Sequence, residues 1–262
     1  MIGIFDSGVG GLTVAKEVLK HLPERRIIYF GDTARLPYGT KGSAFVQKYS
    51  IKITEWLLKR GAEAIVVACH TSSAWASETL KKKFKDVPIF EMITPAVADA
   101  LKKTKNKRIG VIGTPGTIKS GAYEKRLLSA DPSLKVYAKA CPLFVPLVEE
   151  GWVSGGVVKE IIKKYLCPLK DKKIDTLILA CTHYPLLEKE IKKAVGSKVK
   201  IINPAESLAK ELKASLKKVS ESGPKKSDKD HLFFFSDEPY NLKKISHLCF
   251  QKHIEVKVED PF

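Results

Sequence analysis

At 262 residues, with 44% apolar and 29% charged side chains and a mean hydropathy of −0.11, the chain has room for one large or two modest domains with a substantial core. Five cysteines, an odd number, with no CxxC or Cys/His zinc spacing, exclude a disulfide scaffold and give no support to a metal site. The net charge of +17 comes from 40 Lys and 6 Arg in short scattered groups such as "KKKFK" at 81–85, without Arg forks or aromatic platforms; it reads as a solvated lysine face, and no specific nucleic-acid partner is expected.

The opening "MIGIFDSGVGG" has neither a basic n-region nor a long apolar run, and no stretch reaches about 18 uninterrupted apolar residues. A signal peptide and a membrane span are therefore not expected, and the chain reads as cytoplasmic. "IGIF" is a short buried strand ending in Asp6-Ser7-Gly8, and "GGLTVAKEVLKHL" follows with apolar residues at helical spacing. "RIIYFGD" is a strand, "ARLPYGTKG" a loop broken by Pro37 and Gly39, and "AFVQKYSIKITEWLLKRG" an amphipathic helix closed by Gly61. "AIVVAC" is a third strand, with Thr71, Ser72 or Ser73 available to cap the next helix.

A second round follows. "VPIFEMI" leads into the helix "PAVADALKKT", "RIGVIGT" is a strand, and "PGTIKSGAYEKRLLSA" a helix. "LKVYAKAC" is a strand, "SGGVVKEIIKKYLCPLK" a helix, "DTLILAC" a strand, "YPLLEKEIKKAV" a helix and "KVKIINP" a strand. The polar stretch 217–231 reads as a surface loop, and strand-like "LFFFSD" and "HIEVKVED" flank a final helix. Alternating buried strands and helices define an α/β fold with parallel-rich sheets. "IGIFDSG" matches "IGVIGTPG" at an offset of about 107, and "VVACHT" matches "LILACTH" at about 112. The sequence therefore predicts two similar α/β domains related by pseudo-duplication, residues 1–93 plus 206–262 and residues 94–205, with an active site in the cleft between them.

Ligands of open parallel sheets bind at the carboxyl ends of strands. Asp6-Ser7, Cys69-His70-Thr71, Thr114 and Cys181-Thr182-His183 lie at such ends. Two units facing each other would bring Cys69 and Cys181 to opposite sides of one small molecule. One thiolate could then remove a proton from carbon while the other thiol delivers one to the opposite face, which is racemisation without a cofactor. Both cysteines are expected near a helix start, where backbone N–H groups favour anions. Cys141, Cys167 and Cys249 lack a matching partner and read as packing residues. "GVGG" has neither the spacing of a dinucleotide loop nor a Walker lysine.

The blocks "GIFDSGVGGLTV", "GDTARLPYG", "VVACHTSSA", "VIGTPGT", "ACPLFVPLVEEG" and "ACTHYPLL", in register from residue 3 to about 187, resemble the glutamate racemase family. The resemblance implies that Cys69 acts as base on D-glutamate and Cys181 on L-glutamate, assisted by Asp6 and His183. It implies that Asp6, Ser7, His70, Thr71, Thr182 and His183, with backbone amides at Tyr38-Gly39, hold the substrate, and that Thr114, Thr117 and Glu149 line the cleft. It further implies no metal, no pyridoxal phosphate, a homodimer, and a role supplying D-glutamate for peptidoglycan. With arginine scarce, the carboxylates would be held by hydroxyl and N–H groups. Two positions depart from the family pattern: His70 stands where Asn is usual, and Ala180 where Gly is common. His70 is expected to contact the amino-acid head group and either to shift the pH profile or to weaken binding. An aspartate-specific racemase, a Cys/His hydrolase or transferase, and a basic nucleic-acid-binding protein are the alternatives left open.

Overall fold

A computed structural model describes residues 1–217 and 231–262. The chain opens with β1 (Ile2–Asp6), α1 (Leu12–His21), β2 (Ile27–Gly31), α2 (Ser43–Lys59), β3 (Ala64–Val67), α3 (His70–Lys83) and β4 (Ile89–Glu91). Helix α4 (Ile93–Lys103) leads into β5 (Arg108–Gly113), α5 (Pro115–Ser120), α6 (Ala122–Ala130), β6 (Lys135–Ala140), α7 (Phe144–Glu149), α8 (Gly156–Lys170), β7 (Thr176–Ala180), α9 (Glu188–Val195) and β8 (Lys200–Ile202). Then come α10 (Pro204–Lys217), β9 (Leu232–Phe235), α11 (Leu242–Phe250) and β10 (Lys257–Val258).

The strands form two sheets in which every pairing is parallel. The first has the order β10-β9-β2-β1-β3-β4 and the second β6-β5-β7-β8. Strip away β9 and β10, and the two sheets share one order, second-first-third-fourth. That identity of topology is what a duplicated unit leaves behind. Strands β1 (IGIFD), β2 (IIYFG), β3 (AIVV) and β7 (TLILA) are buried along their whole length, as strands covered by helices on both faces must be. Their unbroken apolar composition is the sequence signature of that burial.

Register places the chemistry. Phe5 of β1 pairs with Val67 of β3, and Gly113 of β5 pairs with Ala180 of β7. The residues just beyond these pairs therefore emerge side by side at the carboxyl edges: Asp6-Ser7 beside Cys69, and Thr114 beside Cys181. Helix α3 and the turn at 38–40 both pack on α5, closing one unit against the other.

Four local expectations are corrected. The helix foreseen over 115–130 breaks at Gly121, whose φ of +64° is a left-handed conformation that glycine tolerates at little cost, giving α5 and α6. The segment after Cys181 is first a 3-10 turn over Tyr184–Leu187, with the α-helix beginning only at Glu188, so Cys181 is not at an α-helix N-terminus. Helix α3 is capped at Cys69 itself, whose backbone is extended (φ −65°, ψ 121°), rather than at Thr71, Ser72 or Ser73. Cys141 and Cys249 are buried, but Cys167 is exposed and packs no core. Of the polar stretch expected to be a loop, residues 218–230 lie outside the described residues. No described helix is long and apolar enough to cross a membrane.

Candidate active site

The carboxyl ends of both sheets open onto one small, narrow cavity. Ser7, Cys69, His70 and Thr71 line it from the first sheet's side. Thr114, Glu149, Cys181, Thr182 and His183 line it from the second, and Tyr38 and Gly39 contribute from the turn between β2 and α2. No Lys or Arg is among its lining residues, so an anion in it meets hydroxyl, thiol, imidazole and amide groups. Among the described residues no group of three or more His, Cys, Asp or Glu side chains is placed to hold a metal ion.

Each wall presents one cysteine, and each is only 5% exposed. Their settings differ. Cys69 Sγ lies 3.8 Å from Ser7 Oγ, its proton-accepting neighbour. Burial pushes the Cys69 thiol up to about 12, and the Asp6 carboxylate adds to the rise; the Ser72 and Ser7 groups pull the other way. Asp6 does not reach the cavity wall. It lies beneath the Ser7–Gly11 turn, where Oδ2 accepts the backbone N–H of Gly11 at 3.0 Å and of Gly8 at 3.3 Å. Oδ1 is buried without a hydrogen-bond partner, and burial raises the Asp6 carboxyl against the opposing pull of His183.

On the other wall Cys181 Sγ lies 3.8 Å from His183 Nδ1, and His183 Nε2 lies 3.1 Å from Glu149 Oε1. Burial disfavours a charge on this imidazole, but the hydrogen bonds and charges of Cys181 and Glu149 outweigh it and push His183 up to about 10. Glu149 fixes the ring and holds its second nitrogen, so the sulfur faces an imidazolium able to give it a proton and, once neutral, to take one back. The turn that brings these residues in depends on Gly10. A Cβ there would sit 2.5 Å from the His183 ring and from Thr182 Oγ1.

Three hydroxyls converge beside Cys69. Thr71 Oγ1 lies 3.0 Å from Thr114 Oγ1 and 3.1 Å from Thr117 Oγ1, and the last two are 3.0 Å apart. Thr117 supports this triangle from behind rather than lining the cavity. Tyr38 turns its hydroxyl away to Asp32 Oδ2 at 2.6 Å, which leaves its backbone with that of Gly39 facing the cleft. Two residues that sequence reasoning passed over bind the walls together. Thr13 Oγ1 is 2.8 Å from Thr182 O and 2.9 Å from Gly10 O, and the Tyr123 hydroxyl is 2.8 Å from His70 Nδ1. A threonine and a tyrosine inside helices carry no sequence signal for such long-range contacts.

His70 also corrects an expectation. Burial pushes its imidazole down to about 3, so the ring is neutral throughout the working range of an enzyme and cannot shift a profile by titrating there. Accordingly, pH–rate curves for the parent and for His70→Asn are expected to keep the same shape from about pH 6 to 9, which steady-state kinetics would check.

Two facing parallel α/β units with a thiol on each wall of one small cavity suit two-base proton transfer on a small substrate. Residues 12–212 match the Asp/Glu/Hydantoin racemase family, and the chain belongs to it. The chain is 46% identical over 259 residues to the glutamate racemase of Aquifex pyrophilus, covering 99% of this chain and 97% of that one. To the glutamate racemase of Geobacter metallireducens it is 44% identical, covering 94% and 91%. The crystal structure of glutamate racemase from Francisella tularensis in complex with D-glutamate superposes with a TM-score of 0.90 at 37% identity, covering 98% of this chain and 96% of that one.

Proposed function

We propose that this protein is a glutamate racemase that interconverts L- and D-glutamate by transferring the α-proton between two cysteines, with no cofactor. The observation that carries the reading is the pair of buried thiols on opposite walls of one small cavity, each with its own proton-handling neighbours, in a chain so similar to glutamate racemases along its whole length.

Cys181, as thiolate, removes the α-proton of L-glutamate; the electron pair left on carbon is delocalised into the α-carboxylate, and Cys69 delivers its thiol proton to the opposite face. The reverse direction starts with Cys69 as thiolate on D-glutamate. Each turnover leaves the two sulfurs with exchanged protonation states, so atoms and charge balance without a redox partner. The burial that holds the Cys69 thiol high is offset once the substrate's ammonium group stands beside it, because a nearby cation favours the thiolate. Asp6, from beneath the turn, supports Cys69, and the His183–Glu149 pair supports Cys181. Ser7, Thr71, Thr182, His70 and the backbone at Tyr38-Gly39 hold the amino and carboxylate groups, donating to the charge that develops on the α-carboxylate in the transition state.

The same reading takes residues 1–93 with 206–262 as one domain and 94–205 as the other, and places the enzyme as a homodimer in the cytoplasm, supplying D-glutamate for peptidoglycan. The test is incubation of the purified protein with L-glutamate or L-aspartate, without added cofactor, while following optical rotation. Glutamate is expected to lose its rotation faster than aspartate by about tenfold or more, the discrimination one methylene allows. Racemisation of aspartate in preference, or of neither, would overturn the proposal.

A further inference from the structure

His70 is the first residue of α3, in one unit, and Tyr123 is the second residue of α6, in the other. Their rings lie nearly parallel, at 26° with centroids 6.0 Å apart, and His70 Nδ1 is 2.8 Å from the Tyr123 hydroxyl. Both side chains are buried, at 3% exposure each. Among the described residues this is the one hydrogen bond the Tyr123 hydroxyl makes. A buried phenol with a single partner must donate its proton to that partner, since accepting instead would leave the O–H enclosed with nothing to bind; a spare lone pair on oxygen costs less than an unmet donor. Nδ1 is therefore the acceptor. In a neutral imidazole the proton then resides on Nε2, the ring's remaining polar atom, and His70 lines the cavity between Cys69 and Thr71.

We propose that Tyr123 is a positioning residue that fixes His70 in its Nε2–H form, so that the cleft receives a neutral N–H donor for a substrate carboxylate where the other tautomer would present a lone pair that repels it. The inference rests on the reading of this cavity as the amino-acid site. It explains how a histidine can do the work of a carboxamide donor. An asparagine presents an N–H2 by rotating its amide; the histidine ring cannot rotate its choice away, and the phenol makes the choice for it. It also explains why a second-unit tyrosine should reach across to the first residue of α3: the donor is in place only when the two units are closed on each other. Burial supports the assignment from both sides, keeping the imidazole uncharged and holding the phenol proton in place by raising the Tyr123 hydroxyl well above its ordinary value.

The first measurement is the nitrogen-15 spectrum of the His70 ring in the parent protein without any substrate. It is expected to show a protonated Nε2 and an unprotonated, hydrogen-bonded Nδ1. Because no substrate is involved, this result is independent of whether glutamate proves to be the one turned over. The second is kinetic. Tyr123→Phe keeps the ring and removes the proton donor, and should raise KM for the racemised amino acid about three- to tenfold, more than it changes kcat, the loss expected for one weakened hydrogen bond. In the His70→Asn background the same change should move KM by less than about twofold, because there is no tautomer left to set. A protonated Nδ1 in the parent spectrum would overturn the proposal. So would an equal KM effect of Tyr123→Phe in both backgrounds, which is the signature of a merely structural tyrosine.

Discussion

Serine in place of either Cys69 or Cys181 is expected to lower racemisation by about 10²- to 10⁴-fold, the usual contribution of a positioned acid or base. The substitution is nearly isosteric, and each sulfur is buried in a setting that already includes a hydroxyl or an imidazole, so the fold should survive. What is lost is acidity. A serine hydroxyl at these positions is far harder to ionise than a thiol, and neither His183 on one side nor Asp6 on the other can compensate. The two variants should differ in direction: α-proton exchange from D-glutamate should fall most with Cys69→Ser, and from L-glutamate most with Cys181→Ser. Deuterium exchange of each enantiomer, followed by NMR, measures this. Full activity in either variant would contradict a two-thiol mechanism, and equal losses of both exchanges in both variants would contradict the assignment of faces.

The second large effect comes from a single methyl group. Gly10→Ala places a Cβ 2.5 Å from the His183 ring atoms Cε1 and Nδ1 and from Thr182 Oγ1, well inside van der Waals contact. Nδ1 is the atom that faces Cys181, so the clash falls on the proton-transfer partner itself. The turn cannot simply retreat, because Thr13 links Gly10 O to Thr182 O across the two units. Displacing the imidazole by about 1 Å is expected to cost about 10²-fold in kcat/KM, and the overpacking about 1–3 kcal/mol in stability. Gly156→Ala, at a position with nothing within 4 Å of the added carbon, is the control and should leave both within about 0.5 kcal/mol. Urea unfolding beside steady-state kinetics would separate the two effects, and an unimpaired Gly10→Ala enzyme would show that the close approach does not matter.

Much of this arrangement could be read from the sequence because parallel strands buried on both faces write themselves as short apolar runs. "AIVVAC" and "DTLILAC" each end in the cysteine that reaches the cleft, "IGIF" stops two residues short of Ser7, and the matched strand–Cys pairs at Cys69 and Cys181 point to a duplicated unit before any contact is known. The resemblance to the glutamate racemase family supplied Glu149, which nothing in its own neighbourhood distinguishes from any other helical glutamate. What stayed hidden depends on the third dimension. Asp6 is predicted beside the substrate but lies under the turn, since a carboxylate followed by "SGVGG" can brace backbone amides as readily as face a ligand. The setting of Cys181 stays hidden because a helical pattern does not reveal that its first turn is 3-10 and leaves the sulfur to His183 rather than to a helix N-terminus. His70 has the sequence signature of a titrating group, but its burial and its tyrosine partner 53 residues away belong to the fold.

The central claim is that two thiols on opposite walls handle one α-proton position, and deuterium tests it most directly. The parent enzyme is incubated with protiated L-glutamate in D2O, and both enantiomers are sampled at the earliest conversion. Newly formed D-glutamate is expected to carry deuterium at the α-carbon while remaining L-glutamate is still protiated, because the proton taken on one face goes to one sulfur and the one delivered on the other face comes from a second. D-glutamate that retains the original proton, or deuterium entering both enantiomers equally from the start, would mean that a single base serves both faces, and would contradict it.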